Sequence, residues 1–267
     1  MRKSKFIQVI ASLVFIFLLI PLIIIVVTSF GTAATVQFPI QGFTLDWYLV
    51  VFQSDTFKQS FVTSLIVGLV AVVLALLIGI PAAYALEKGQ LKSKNFLNGI
   101  FLSPTLVPGM VIGYVLMQLV TVQFQLSIMT GLILSHLIIS VPYVIRVVGS
   151  ALQNMDSSLE EAAWTLGLTR TQAVFQIVLP NIRSGIISAF LLAFINSFNN
   201  IPVSMFLSGP GVSTLPITLM NYMEFNYDPS VSALSTLLMV VTIVLMILVD
   251  KTIGISAIKQ TNDKGGQ

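Results

Sequence analysis

FIQVIASLVFIFLLIPLIIIVVT fills residues 6–28, 23 consecutive positions without a charge. At a rise of about 1.5 Å per residue, a helix of that length crosses the roughly 30 Å hydrocarbon core of a bilayer. The same property recurs along the chain at residues 61–86, 96–120, 126–145, 185–206 and 231–249. Each run is continuously apolar with no alternation, and backbone in lipid must satisfy its own hydrogen bonds, so the runs predict helices and not barrel strands. Composition agrees: 56% of the 267 residues are hydrophobic, 9% are charged and the mean hydropathy is +0.97, whereas soluble domains carry about a quarter charged residues. The expected fold class is an all-α membrane protein of six transmembrane helices in a single domain, 1–267.

The basic residues Met1 is followed by, Arg2, Lys3 and Lys5, give the start of the chain the look of a secretory signal. The apolar run behind them exceeds a normal signal core, which predicts an uncleaved first span. Six spans put both termini on one side. Arg2, Lys3, Lys5, Lys88, Lys92, Lys94, Arg146, Arg170, Arg183, Lys251, Lys259 and Lys264 fall on that side and Lys58 alone on the other. Positive charge accumulates in the cytoplasm, so both termini are expected there. Two external segments, 29–60 and 207–230, carry Asp46, Asp55, Glu224 and Asp228. In the first, Pro39, Gly42 and the pair Trp47, Tyr48 predict a turn and then an interfacial element.

The connection from Arg146 to Ser184 is far longer than the five-residue turn before it. Ser157 and Ser158, each three residues before a glutamate (Glu160, Glu161), make two overlapping capping-box candidates, and Leu159, Ala162, Ala163 and Leu166 share one helical face. Gly167 stands where a left-handed helix terminator belongs, and Thr169 with Gln172 offers another capping box for a helix ending near Leu179 and Pro180. Residues 156–180 therefore predict a cytoplasmic helix-turn-helix. In order, it contains Glu161, Ala162, Ala163, then Gly167 four positions on, then Ile177, Leu179 and Pro180.

That spacing resembles the EAA signature of ABC-importer permeases, at its usual place before the second-to-last span, and the resemblance extends over essentially the whole chain. It is closest to permeases of the spermidine/putrescine type, with Gly42, Phe43, Trp47, Tyr48 and Leu215, Pro216 as supporting positions. The resemblance implies the type I importer permease fold. It also implies that the loop enters a groove on an ATPase subunit, with Trp164 and Leu166 as apolar anchors. ATP and Mg would then be bound by that partner, with no cofactor in this chain. The implied assembly has two ATPase subunits, two permease subunits, identical or homologous, and an extracytoplasmic solute-binding protein, in a bacterial cell membrane. The implied activity is import of a small polar solute by alternating access. One departure bears on the solute: polyamine permeases similar to this one often carry adjacent aspartates late in the fifth span, where this chain has Asn199 and Asn200. Neutral amides attract a polycation less than carboxylates do, leaving 2-aminoethylphosphonate, iron and other small solutes open.

Asn196, Ser197, Asn199 and Asn200, with Pro202, interrupt the outer half of the fifth run, and polar groups within a span face a cavity or a neighbouring helix. They are the candidate pathway residues, with interhelical bonding as the competing role. Pro104, Pro108 and Gly109 predict a kinked or broken third span. His136 is expected to be satisfied by a neighbouring helix. A secondary carrier is the rival function, but such carriers bury ionisable groups within spans and all ten acidic residues here lie outside the runs. With no cysteine and one histidine, the chain offers no usual metal-ligand set, and no clustered nucleophile marks a membrane enzyme. No Walker sequence is present, so energy is expected from a partner.

Overall fold

The computed structural model describes residues 5–89, 91–244 and 246–247. Among them the regular elements are helical, apart from one isolated bridge between Gly209 and Val212. In chain order they are α1 (Lys5–Thr28), α2 (Asp46–Gln53), α3 (Asp55–Lys88), α4 (Lys94–Leu102), α5 (Gly109–Leu116), α6 (Ile128–Asn154), α7 (Ser158–Thr165), α8 (Arg170–Ala173), α9 (Leu179–Asn181), α10 (Arg183–Phe198), α11 (Ile201–Ser204), α12 (Leu215–Phe225) and α13 (Ser230–Val244).

Among the described residues, three helices are long and apolar enough to cross a membrane: Val9–Thr28 within α1, α3 and α6. Two bent pairs join them in length and composition, Lys94–Thr105 with Gly109–Gln123 at 90°, and Arg170–Asn181 with Arg183–Phe198 at 70°. α13 is a shorter apolar helix, and the end of the expected last span, like Lys251, Lys259 and Lys264, lies outside the described residues. The third run is thus sharply bent. Pro104 sits in a single 3-10 turn, Ser103–Thr105, and Pro108 precedes α5 in an extended conformation, as expected where proline withholds a backbone donor. A wide, π-type stretch, Met117–Gln123, then completes this element.

Helices and apolar runs part company at three places. α6 continues to Asn154, nine residues beyond the apolar run, because a charge such as Arg146 ends an apolar stretch without ending a helix. α3 begins at Asp55 for the same reason. The fifth run is not one helix: α10 stops at Phe198 and α11 starts at Ile201.

The described residues divide into two units, one drawing on residues 5–59 and 218–243 and the other centred on residues 60–217. In the first, the stretch containing Trp47 and Tyr48 forms α2. Trp47 Nε1 donates to the carbonyl of Gly31 at 2.8 Å, and the Tyr48 hydroxyl pairs with Ser29 Oγ at 2.7 Å. Phe30 stacks on Phe43 with ring centres 5.0 Å apart, and Thr28 Oγ1 donates to Ser232 Oγ at 3.1 Å. In α1 the apolar side chains from Val9 to Ile23 are exposed, a surface suited to lipid.

The second unit packs α6 against α10 and α11 against α5. Its core joins Val67, Leu132, Ile139, Val203 and Leu207. Close approach at α11 depends on Gly113, where an added Cβ would lie 2.9 Å from the Val203 carbonyl oxygen, nearer than a backbone atom can yield.

Candidate coupling and pathway sites

The stretch from Asp156 to Pro180 is ordered by its own backbone. Gly167 has φ +90°, the left-handed region that a side chain disfavours. Its N–H donates to the Trp164 carbonyl at 3.0 Å and the N–H of Leu168 reaches back to Ala163 at 3.1 Å. Those two bonds are a Schellman closure of α7 with glycine at the required position. The second helix opens with a complete capping box: Gln172 N donates to Thr169 Oγ1 at 3.3 Å, and Thr169 N donates to Gln172 Oε1 at 2.9 Å.

The start of α7 differs from the expected capping boxes. Ser157 makes no side-chain cap bond. Asp156 Oδ1 instead accepts from the N–H of Ser158 at 3.0 Å, and Lys88 Nζ donates to Ser157 Oγ at 2.8 Å. Glu160, assigned to a cap, is 3% exposed and accepts a hydrogen bond from the Tyr84 hydroxyl of α3. A tertiary partner has outcompeted the local one, and spacing within the loop holds no signal for it.

The residues of the spaced motif divide by exposure. Ala163 is buried, while Glu161 and Ala162 face outward. Trp164 is 39% and Leu166 85% exposed, so both apolar side chains stand available as anchors of the kind that carry interface energy. Arg170 lies 5.7 Å from the centre of the Trp164 ring, within cation–π range. Ile177 and Leu179 are half-buried and Pro180 is exposed. A π-type stretch, Val174–Val178, runs into α9 just before Pro180, the residue that cannot donate back to the preceding turn. A cavity of about 660 Å³ opens beside this loop, walled by Tyr84, Lys88, Glu160, Trp164, Arg170 and Phe175 among others.

The candidate pathway residues lie at the break between α10 and α11. Asn199 closes α10 and is exposed, while Asn196 is half-buried. Asn200 is the N-cap of α11, its Oδ1 accepting from Val203 N at 3.0 Å. Ser197 is buried and pairs with His136 Nδ1 at 2.7 Å, while His136 Nε2 meets Ser204 Oγ at 2.9 Å. The Ser204 hydroxyl donates to the Asn200 carbonyl at 2.7 Å, which leaves its lone pairs for the histidine. A neutral ring that donates from Nε2 and accepts at Nδ1 satisfies both serines. His136 therefore bridges α10 and α11 across their break, in keeping with a histidine satisfied by neighbouring helices. Of the four pathway candidates, Ser197 Oγ and Asn200 Oδ1 are engaged in structural bonds.

Comparison with known proteins adds an independent line. The family described as binding-protein-dependent transport system inner membrane component matches residues 75–253. The spermidine/putrescine transport system permease protein PotC of Escherichia coli (strain K12) is 30% identical over 239 residues, covering 88% of each chain. The putrescine transport system permease protein PotI of the same strain is 31% identical over 245 residues, 89% of this chain and 86% of that one. Among solved structures, a chain of a bacterial ABC transporter involved in the import of the acidic polysaccharide alginate superimposes with a TM-score of 0.71. It shares 19% identity and the match covers 94% of this chain and 98% of that one, a likeness of fold.

Proposed function

Because the chain belongs to the family of binding-protein-dependent transport system inner membrane components, we propose that it is the ABC-importer permease through which a polyamine-like solute crosses the membrane. Its fold is that of ABC-importer permeases, and it is an inner membrane component of such a transporter. A separate ATPase pair supplies the energy by binding ATP and Mg, a second permease subunit completes the pathway, and an external binding protein delivers solute. Both termini face the cytoplasm, following the distribution of basic residues.

The observation that carries this reading is the loop, where glycine closure of α7 leaves Glu161, Ala162, Trp164 and Leu166 exposed on the side away from buried Glu160 and Ala163. Such a face suits insertion into a partner groove. ATP-driven movement of the partner would shift α7 and, through α6 and α10, the break at Asn199 and Asn200. Asn196 and Asn199 are the residues offered to the solute, and His136 with Ser197 fixes the wall behind them. The polyamine assignment rests on the identity with PotC and PotI across most of the chain.

Reconstitution of the assembled transporter in vesicles tests it. Saturable, ATP-dependent uptake of labelled putrescine or spermidine, each competing with the other, is expected. ATP-dependent uptake of a different solute, with neither polyamine carried or competing, would overturn the substrate and leave the permease in place.

A further inference from the structure

Glu160 and Glu161 are neighbours with opposite surroundings: the first is 3% exposed and the second faces outward. Glutamate is almost never fully buried without a partner, and the partner here is the Tyr84 hydroxyl. One turn further along α3, Lys88 Nζ donates to Ser157 Oγ at 2.8 Å. Tyr84 and Lys88, four apart, lie on one face of α3, while Ser157 and Glu160, three apart, lie on one face at the start of α7. The two bonds are consecutive rungs between the last turns of α3 and the first turn of α7.

α7 is packed through Ala163, 4% exposed, while a cavity of about 660 Å³ opens beside its first turn. At that first turn, the polar rungs supply side-chain bonds to α3. A helix turns about 100° per residue, so releasing Glu160 toward water would swing Glu161, Trp164 and Leu166 away from their present directions. The Lys88 rung is exposed and weakly restraining by comparison; the buried rung holds the setting.

We infer that Tyr84 and Glu160 form a positioning joint that sets the rotation of α7, so that α3 shares the load when the loop is moved. This rests on the reading of residues 156–180 as the coupling element. Neither residue contacts solute or nucleotide in this account; both act through α7.

Tyr84→Phe removes a single oxygen and is the decisive variant. The chain contains two tryptophans, so in a Trp47→Phe background the emission of Trp164 alone reports on α7. In the full-length protein in lipid vesicles, Tyr84→Phe is expected to lower Trp164 anisotropy and raise its quenching by acrylamide. In the reconstituted transporter it is expected to lower the solute carried per ATP hydrolysed by about tenfold, the scale of one hydrogen bond to a buried charged group, with the ATPase still associated. Tyr84→Phe combined with Glu160→Met replaces both polar partners by apolar ones, which can be nearly neutral, and should restore the anisotropy. Tyr84→Phe with unchanged Trp164 anisotropy, or with unchanged solute per ATP, overturns the joint. If the wild-type chain associates with no ATPase, the coupling reading fails separately, while the anisotropy comparison still decides whether Tyr84 sets α7.

Discussion

The loop from Asp156 to Pro180 and the broken helix from Arg183 to Leu207 follow one another in the chain, yet they secure their polar groups in opposite ways. In the loop, most partners are three to five residues apart: Gly167 with Trp164, Leu168 with Ala163, Thr169 with Gln172. At the break, the decisive partner of Ser197 and Ser204 is His136, 61 and 68 residues away. Local closure gives the loop a shape that survives at a surface and can be presented to a partner. Remote closure makes the break a property of three packed helices, altered only by altering their packing.

This contrast predicts a ranking of effects. Gly167→Pro should be the most damaging change, since proline holds φ near −65° and cannot adopt +90°. ATP-dependent uptake is expected to fall to background, while the thermal unfolding of the isolated permease in detergent moves little. If the variant transports normally, the shape of the loop is not what matters.

His136→Leu should act in the other direction, on stability before transport. It leaves the buried hydroxyl of Ser197 without its partner, while Ser204 keeps its bond to the Asn200 carbonyl, at about 1–3 kcal/mol for one buried group left unsatisfied. Interhelical bonds in membranes average less, so the lower end is expected, read as a reduced unfolding temperature of the purified protein. An unchanged temperature would show that the histidine bridge does not hold the break.

The smallest effects on transport belong to the asparagines, where substitutions separate two roles. Asn200→Ala removes the cap of α11 and should cost about 1 kcal/mol without changing which solutes compete for uptake. Asn199→Leu should leave stability within about 0.5 kcal/mol, the usual range for exposed positions, and change the competition profile. A profile indifferent to Asn199→Leu would remove that residue from the pathway.

The same contrast explains what could be read from the sequence. Gly167 and the Thr169–Gln172 pair were legible because their bonds lie within one turn, where spacing specifies geometry. Helical membrane architecture was legible from run length, since the bilayer sets the length required. The ends of α3 and α6 were not, because helices continue past the charges that end an apolar run. The break at Asn199 and Asn200 was visible as polar residues in a span, but polarity alone does not distinguish a cap such as Asn200 from a side chain offered to solute. The Tyr84–Glu160 bond left no pattern at all, since it joins residues 76 apart.

The most direct test of the account is capture of an ATPase subunit from native membranes by the tagged chain, wild type against Glu161→Lys. The wild type is expected to bring down an ATPase and the variant, with its outward carboxylate reversed in charge, to lose it. Wild-type chain purified from intact complexes without any ATPase, or equal capture by the variant, would contradict the assignment of residues 156–180 as the coupling loop.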